Sequence, residues 1–141
     1  MPDHIAKAYD NDISALKTQL AEMGGIAEEQ LANAIQALAR RDIALADQVI
    51  SNDQKLDDLE RRIEEKAILT IAKRQPMALD LREIMVAIRV SSDIERIGDL
   101  AKNTAKRTHA ISEVLPRRLS TGLARMGQMA QAQLNQVLNA Y

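Results

Sequence analysis

A chain of 141 residues is long enough to bury a core, yet it contains no Phe and no Trp, so that core must come from Leu, Ile, Val, Met and Ala. With five Gly and three Pro there are too few turn formers for an all-β fold, and Ala and Leu favour helix. The absence of Cys excludes disulfides, cysteine-ligated zinc and thiol nucleophiles, and a net charge of -1 lacks the basic excess of a nucleic-acid binder.

The opening MPDHIAKAYDND is polar and lacks the apolar stretch of a signal peptide, and no apolar run approaches the roughly 18 residues of a membrane span. The expectation is a cytoplasmic, all-α protein with no membrane insertion and no direct nucleic-acid contact.

The first helix is predicted from about Asn11 to Arg40, with a seam of Ile13, Leu16, Leu20, Met23, Ala27, Leu31, Ala34 and Leu38 stepping by three and four. Gly24-Gly25 costs about 2 kcal/mol against Ala in a helix interior, and marks either a kink or a close helix crossing. Asp42 is placed to cap a second helix running to Arg74, whose stripe is Val49, Leu56, Ile63 and Thr70, with Ser51-Asn52-Asp53 a place to bend or restart. Gln75-Pro76 is a boundary. A third helix is predicted from Pro76 to about Ser112 through Leu81, Ile84, Ile88, Ser91, Glu95 and Gly98. A last helix runs from Arg117 to the end.

Displaced by 103 positions, the first helix falls on the last. Leu16, Thr18, Leu20, Ala21, Met23 and Gly24 land on Leu119, Thr121, Leu123, Ala124, Met126 and Gly127, and Ala27, Gln30, Leu31 and Ala37 on Ala130, Gln133, Leu134 and Ala140. Two amphipathic helices share Leu and Ala at seam positions by composition alone; they do not thereby share Thr, Gln and Met-Gly in register. The pattern reads as an internal repeat, with residues 1–115 one three-helix unit and 116–141 the first helix of an incomplete second. The last helix is then expected to dock its Leu119, Leu123, Met126, Ala130, Leu134 and Leu138 on its own bundle or on a second copy of the chain.

Two motifs place acids one helical turn apart: Asp53 with Asp57, and Glu95 with Asp99. Each like-charged pair costs a helix about 0.2–0.5 kcal/mol, a penalty that a bridging cation would offset. Glu60 and Glu64 extend the first row. Oxygen-only ligands suit Mg, Ca, Mn or iron rather than zinc. The alternative is a solvated, salt-bridged row, with Asp57 reaching Arg61 and Asp58 reaching Arg62. Glu95 has the stronger case, because it falls on the seam marked by Ile84 and Ile88 among the small residues Ser91, Ser92 and Gly98, and an acid facing a seam needs a partner. His4 and His109 read as surface residues, and Met77, Met85, Met126 and Met129 as core filler. No phosphate-binding glycine loop and no nucleophile–base set is present, which points away from an enzyme.

The run Arg74-Gln75-Pro76-Met77-Ala78-Leu79-Asp80-Leu81-Arg82, followed by Ile94-Glu95-Arg96-Ile97-Gly98-Asp99, resembles the PhoU family of phosphate-signalling regulators, as do Met23-Gly24-Gly25 and the Asp53–Asp57 segment. The resemblance implies a fold of two three-helix repeats, of which this chain lacks the last two helices, as a fragment or a truncated relative. It implies a negative regulator of the phosphate-starvation response, an adaptor between a phosphate ABC transporter ATPase and a sensor histidine kinase. It further implies a cytoplasmic, often dimeric protein, with metal held by acid-xxx-Asp pairs that map to Asp53, Asp57, Glu95 and Asp99. The competing reading is a carboxylate-bridged metal-binding bundle with an enzymatic or metal-storage role, which in di-iron bundles adds a Glu-x-x-His motif not found here.

Overall fold

The computed structural model describes residues 2–140, which form four helices: α1 (Pro2–Arg40), α2 (Ile43–Arg74), α3 (Ala78–Thr108) and α4 (Arg117–Ala140). The all-α architecture follows the composition, and the first three helices pack on one another in every pairing. Helix α1 is a turn and more longer at its start than its apolar seam suggests. In that extension the Tyr9 hydroxyl donates to the Asp80 carbonyl at 3.1 Å, and just after it Arg74 pairs with Asp12 at 3.1 Å.

Both tight connections turn through left-handed backbone at a non-glycine residue. Arg41 has φ 53° and Gln75 φ 46°, a region such residues seldom visit. Asp42 accepts from the Leu45 N–H at 3.1 Å and so caps α2. The Arg41 guanidinium donates to the Ile111 carbonyl at 2.6 Å, tying this turn to the α3–α4 connection. Gln75 donates its N–H to the Ile71 carbonyl. Helix α3 then begins at Ala78, two residues after the proline expected to start it, and it ends at Thr108 rather than near Ser112. Helix α2 runs unbroken through Ser51-Asn52-Asp53, so the expected bend is absent: Asp53 turns inward and leaves the backbone ladder intact.

The core has two parts. Ile13, Leu16, Leu20 and Met23 meet Leu56, Leu59 and Ile63 of α2 and Ile84 and Ile94 of α3. Towards the other end the side chains shrink to Ala34, Ala37, Ala46, Val49, Ala101 and Ala105. The α2 stripe of Val49, Leu56, Ile63 and Thr70 is wholly buried. On α1 the seam drifts, burying Gln30 and Ala37 while Leu31 and Leu38 lie at its margin. Gln30 keeps its amide satisfied by donating to the Val49 carbonyl at 2.7 Å.

Among the described residues, α4 packs on α1 alone. Its contact is reciprocal. A Cβ added at Gly24 would lie 2.5 Å from Leu138 Cδ1, and one added at Gly127 would lie 3.1 Å from Ile35 Cγ1. Gly127 and Leu138 are the residues 103 positions after Gly24 and Ile35, so the two helices cross with the same pair of residues used twice. The paired glycines mark a close crossing; Gly25, with nothing within 4 Å of an added Cβ, takes no part in it.

The expected docking of α4 is therefore realised on one side only. Leu134 is buried, but Leu119 and Met126 are 57% and 67% exposed, whereas their repeat partners Leu16 and Met23 are 1% and 0% exposed. The face that α1 buries against α2 and α3 is the face α4 leaves open. Leu119 and Leu123 line a groove of about 660 Å3 together with Leu38, Ile111 and Leu115. The methionines expected as core filler are a correction. Met77, Met85, Met126 and Met129 are all exposed, because Met77 lies in the connection before α3 and the others on the outer faces of α3 and α4, whereas Met23 is buried.

Candidate functional site

The acids lie where the large-residue core gives way to the alanine-lined end. Gly98 makes this possible. A Cβ there would collide with Leu56 Cδ1 and stand 3.5 Å from Asp53 Oδ1, so α2 and α3 come close at this level because residue 98 has no side chain. That approach sets the α2 row of Asp53, Asp57 and Glu60 beside the α3 row of Glu95, Asp99 and Lys102.

Asp53 is 3% exposed. Its Oδ2 lies 3.5 Å from the Lys102 ammonium, and its Oδ1 has no hydrogen-bond partner. A buried carboxylate oxygen without a partner is costly. The Asp53 carboxyl is accordingly pushed above its ordinary value by burial first and by the charge of Asp57 next; Lys102 opposes this, and Asp99 adds to it. Glu60 has the same character: its Oε2 is buried without a partner, and burial followed by the charges of Glu64 and Asp57 raises its pKa.

Glu95 is the most perturbed. Its carboxyl is pushed up to about 7, by burial first, then by a hydrogen bond shared with Asp57, then by the charges of Glu60, Asp57 and Asp99. The four acids singled out in the sequence thus feel one another across two helices, and Glu60 joins them. The cluster is electrostatically frustrated in its proton-poor state: its acids raise one another, and Lys102 alone among the groups acting on them lowers one.

The salt-bridge alternative is only partly realised. Arg61 lies 3.7 Å from Asp58, not paired to Asp57, and Asp57 faces Glu95 instead. His4 and His109 are both exposed, and His109 pairs with Asp47 at 2.7 Å. Lys102 was not singled out in the sequence. The signal available was its place three residues after Asp99, on the same face of α3 as the Glu95–Asp99 pair.

A cation is a chemical fit for two unpartnered buried carboxylate oxygens within an all-oxygen donor set, and the donors suit hard ions. Against this, no group of three or more Asp, Glu, His or Cys side chains among the described residues is gathered tightly enough to hold an ion as the side chains stand. Any ion would have to draw the two rows together.

Residues 20–108 match the family described as the PhoU domain. The chain is 52% identical over 139 residues to the "Phosphate-specific transport system accessory protein PhoU homolog" of Rhizobium meliloti (strain 1021), covering 98% of this chain and 59% of that protein. It is 44% identical over 142 residues to the homolog of Caulobacter vibrioides (strain NA1000 / CB15N), covering 100% of this chain and 62% of that one. With the "Phosphate-specific transport system accessory protein PhoU" of Serratia marcescens it shares 36% over 138 residues, covering 98% and 57%. The chain thus spans about three fifths of the length of these relatives. With more than half of its residues matched to the family and an all-helical bundle to go with them, the chain belongs to the PhoU family.

Proposed function

We propose that this chain serves a regulator of phosphate transport: an adaptor that couples a phosphate ABC transporter ATPase to a sensor histidine kinase and represses the phosphate-starvation response. The observation that carries this reading is the likeness, across essentially the whole chain, to relatives named as accessory proteins of phosphate-specific transport. An adaptor acts through surfaces. No described helix is long and apolar enough to cross a membrane; in this reading the contact with the transporter is made from the cytoplasmic side. The family likeness also suggests a homodimer.

Residues 1–115 form the first of two repeat units in this reading, and 116–141 open the second. The reciprocal crossing of Gly24 with Leu138 and of Gly127 with Ile35 supports it, since equivalent positions make equivalent contacts. The bare face of α4 is where the rest of a second unit would pack.

Asp53, Asp57, Glu95 and Asp99 would hold a divalent or trivalent cation, iron, Mg, Mn or Ca, with Glu60 at its edge. The unpartnered Asp53 Oδ1 is the support for this. The ion's part would be structural: it supplies the positive charge that lets α2 and α3 stay close at Gly98 with all acids ionised.

Capture on the immobilised protein tests the adaptor role. The transporter ATPase and the cytoplasmic region of the kinase should each be retained from purified mixtures, and retention should fall when surface residues of the family motif, such as Arg82→Ala, are replaced. Absence of retention of either partner by the full-length protein rejects the adaptor reading.

A further inference from the structure

Helix α3 carries two seams on opposite faces, each stepping by three and four. The inner one, Ile84, Ala87, Ser91, Ile94, Gly98 and Ala101, is buried in the bundle. The outer one, Leu79, Arg82, Val86, Arg89, Asp93 and Arg96, is exposed throughout, and α4, which packs on α1 alone, does not cover it. A helix face turned to water usually pairs its charges with one another. Here Arg82, Arg89 and Arg96 enter no ion pair among the described residues, although Asp93 stands within one turn of two of them. Three cations to one anion is a local basic excess in a chain of net charge -1. Apolar side chains lie among them: Leu79, Val86 and Met85 are 78%, 41% and 52% exposed. Along the stripe runs a groove of about 720 Å3, lined by Met85, Val86 and Ile88 together with Arg82 and Arg89, and by Glu64 from α2.

We propose that this outer face of α3 docks an amphipathic helix of another protein, with carboxylates at seven-residue spacing set against the three arginines and apolar side chains set on Val86 and Met85. The inference deepens the adaptor reading and rests on it for which protein supplies the helix. Spacing selects the occupant. Successive arginines are seven residues, about 10.5 Å, apart along the helix axis, too far for one phosphate or carboxylate to be shared. An extended strand repeats its face at roughly 6.6 or 13 Å and misses that interval, whereas a second helix meets it at every seventh residue. Charge excludes a second copy of this chain, which would bring three more arginines and only one more aspartate to the same interface. A flat anionic bilayer would meet the arginines but leave the groove unfilled.

Fluorescence anisotropy of the whole chain with a labelled synthetic helix of three heptads tests this. The probe carries Leu along one face and Glu at every seventh position beside it; a counterpart carries Lys in place of those Glu. Wild type is expected to bind the Glu probe, less tightly as salt is added. Arg89→Glu is expected to bind it on the order of tenfold more weakly and to prefer the Lys probe. A reversed preference is an outcome that loss of folding does not produce. No binding of the Glu probe by wild type, equal binding by Arg89→Glu, or a preference of wild type for phosphatidylglycerol vesicles over the probe would overturn the proposal. The adaptor reading is judged apart from it. Retention of the ATPase or the kinase region by wild type and Arg89→Glu alike, with no probe bound, rejects this surface and leaves the adaptor standing. Probe binding with neither partner retained supports the surface and rejects the adaptor.

Discussion

Leu138 covers Gly24 so closely that a methyl group at position 24 would stand 2.5 Å from its Cδ1 and 2.6 Å from its Cδ2. Gly24 is therefore a seat for α4, and its neighbour Gly25 is not. Gly24→Val is expected to destabilise the chain by about 1–3 kcal/mol by levering α4 away, with Gly127→Val acting in the same direction against Ile35. Gly25→Ala meets nothing within 4 Å and is expected to stabilise by up to about 1 kcal/mol through helix propensity alone. Urea unfolding of the three variants checks all of these.

Gly98 controls the spacing of α2 and α3. Gly98→Ala gains helix propensity, but its methyl meets Leu56, which is wholly buried and has no room to turn aside. A net loss of about 1–3 kcal/mol is expected. Because Asp53 Oδ1 stands 3.5 Å from the same point, the carboxylates should also move. Chemical denaturation gives the first quantity. The effect on Glu95, followed by its carboxyl NMR shift against pH, gives the second.

The raised acids predict an unusual pH dependence. Glu95 goes from an ordinary 4.5 to about 7 in the folded chain, with Asp53 and Glu60 displaced in the same direction. Between about pH 4.5 and 7 the folded state holds more protons at Glu95 than the unfolded state. Stability of the metal-free protein should therefore rise as pH falls through that window, and be least above pH 7. Protons and metal compete for the same oxygens, so metal affinity should weaken as pH falls through that window. Unfolding curves in chelator across that range check the sign. A steady loss of stability on acidification from neutral pH would count against the clustered acids.

Gln30 and Gln133 occupy equivalent places in α1 and α4, but only Gln30 is buried. Gln30→Ala removes the bond to the Val49 carbonyl and is expected to cost about 1 kcal/mol or more, whereas Gln133→Ala should be near neutral. Thermal melts of the pair check the contrast.

Much of this fold was legible because its helices are marked by apolar spacing and by Asp42 and Gln75-Pro76. The α2 stripe came through intact since α2 meets both neighbours along one narrow face. The α1 seam was less legible: α1 packs α2 and α3 on one side and α4 on another, so a single stripe underdescribes it. The start of α1 was missed because polar bonds such as Tyr9 to Asp80 hold it, and these pair residues 71 positions apart. The methionines misled because helical spacing says that residues share a face, not which way the face points. The four acids could be paired within each helix from their spacing. Their meeting across helices depended on Gly98, and Lys102 belonged to the same face of α3 but carried no motif of its own.

The central claim is that Asp53, Asp57, Glu95 and Asp99 act as one cation-binding group. Equilibrium dialysis against Mn2+ or Fe3+, followed by elemental analysis, tests it most directly, using wild type and a variant with Asp53→Asn, Asp57→Asn, Glu95→Gln and Asp99→Asn together. Wild type should retain metal in fixed proportion to protein and the variant, still helical by circular dichroism, should retain none. Equal metal on both, or none on wild type, contradicts the account.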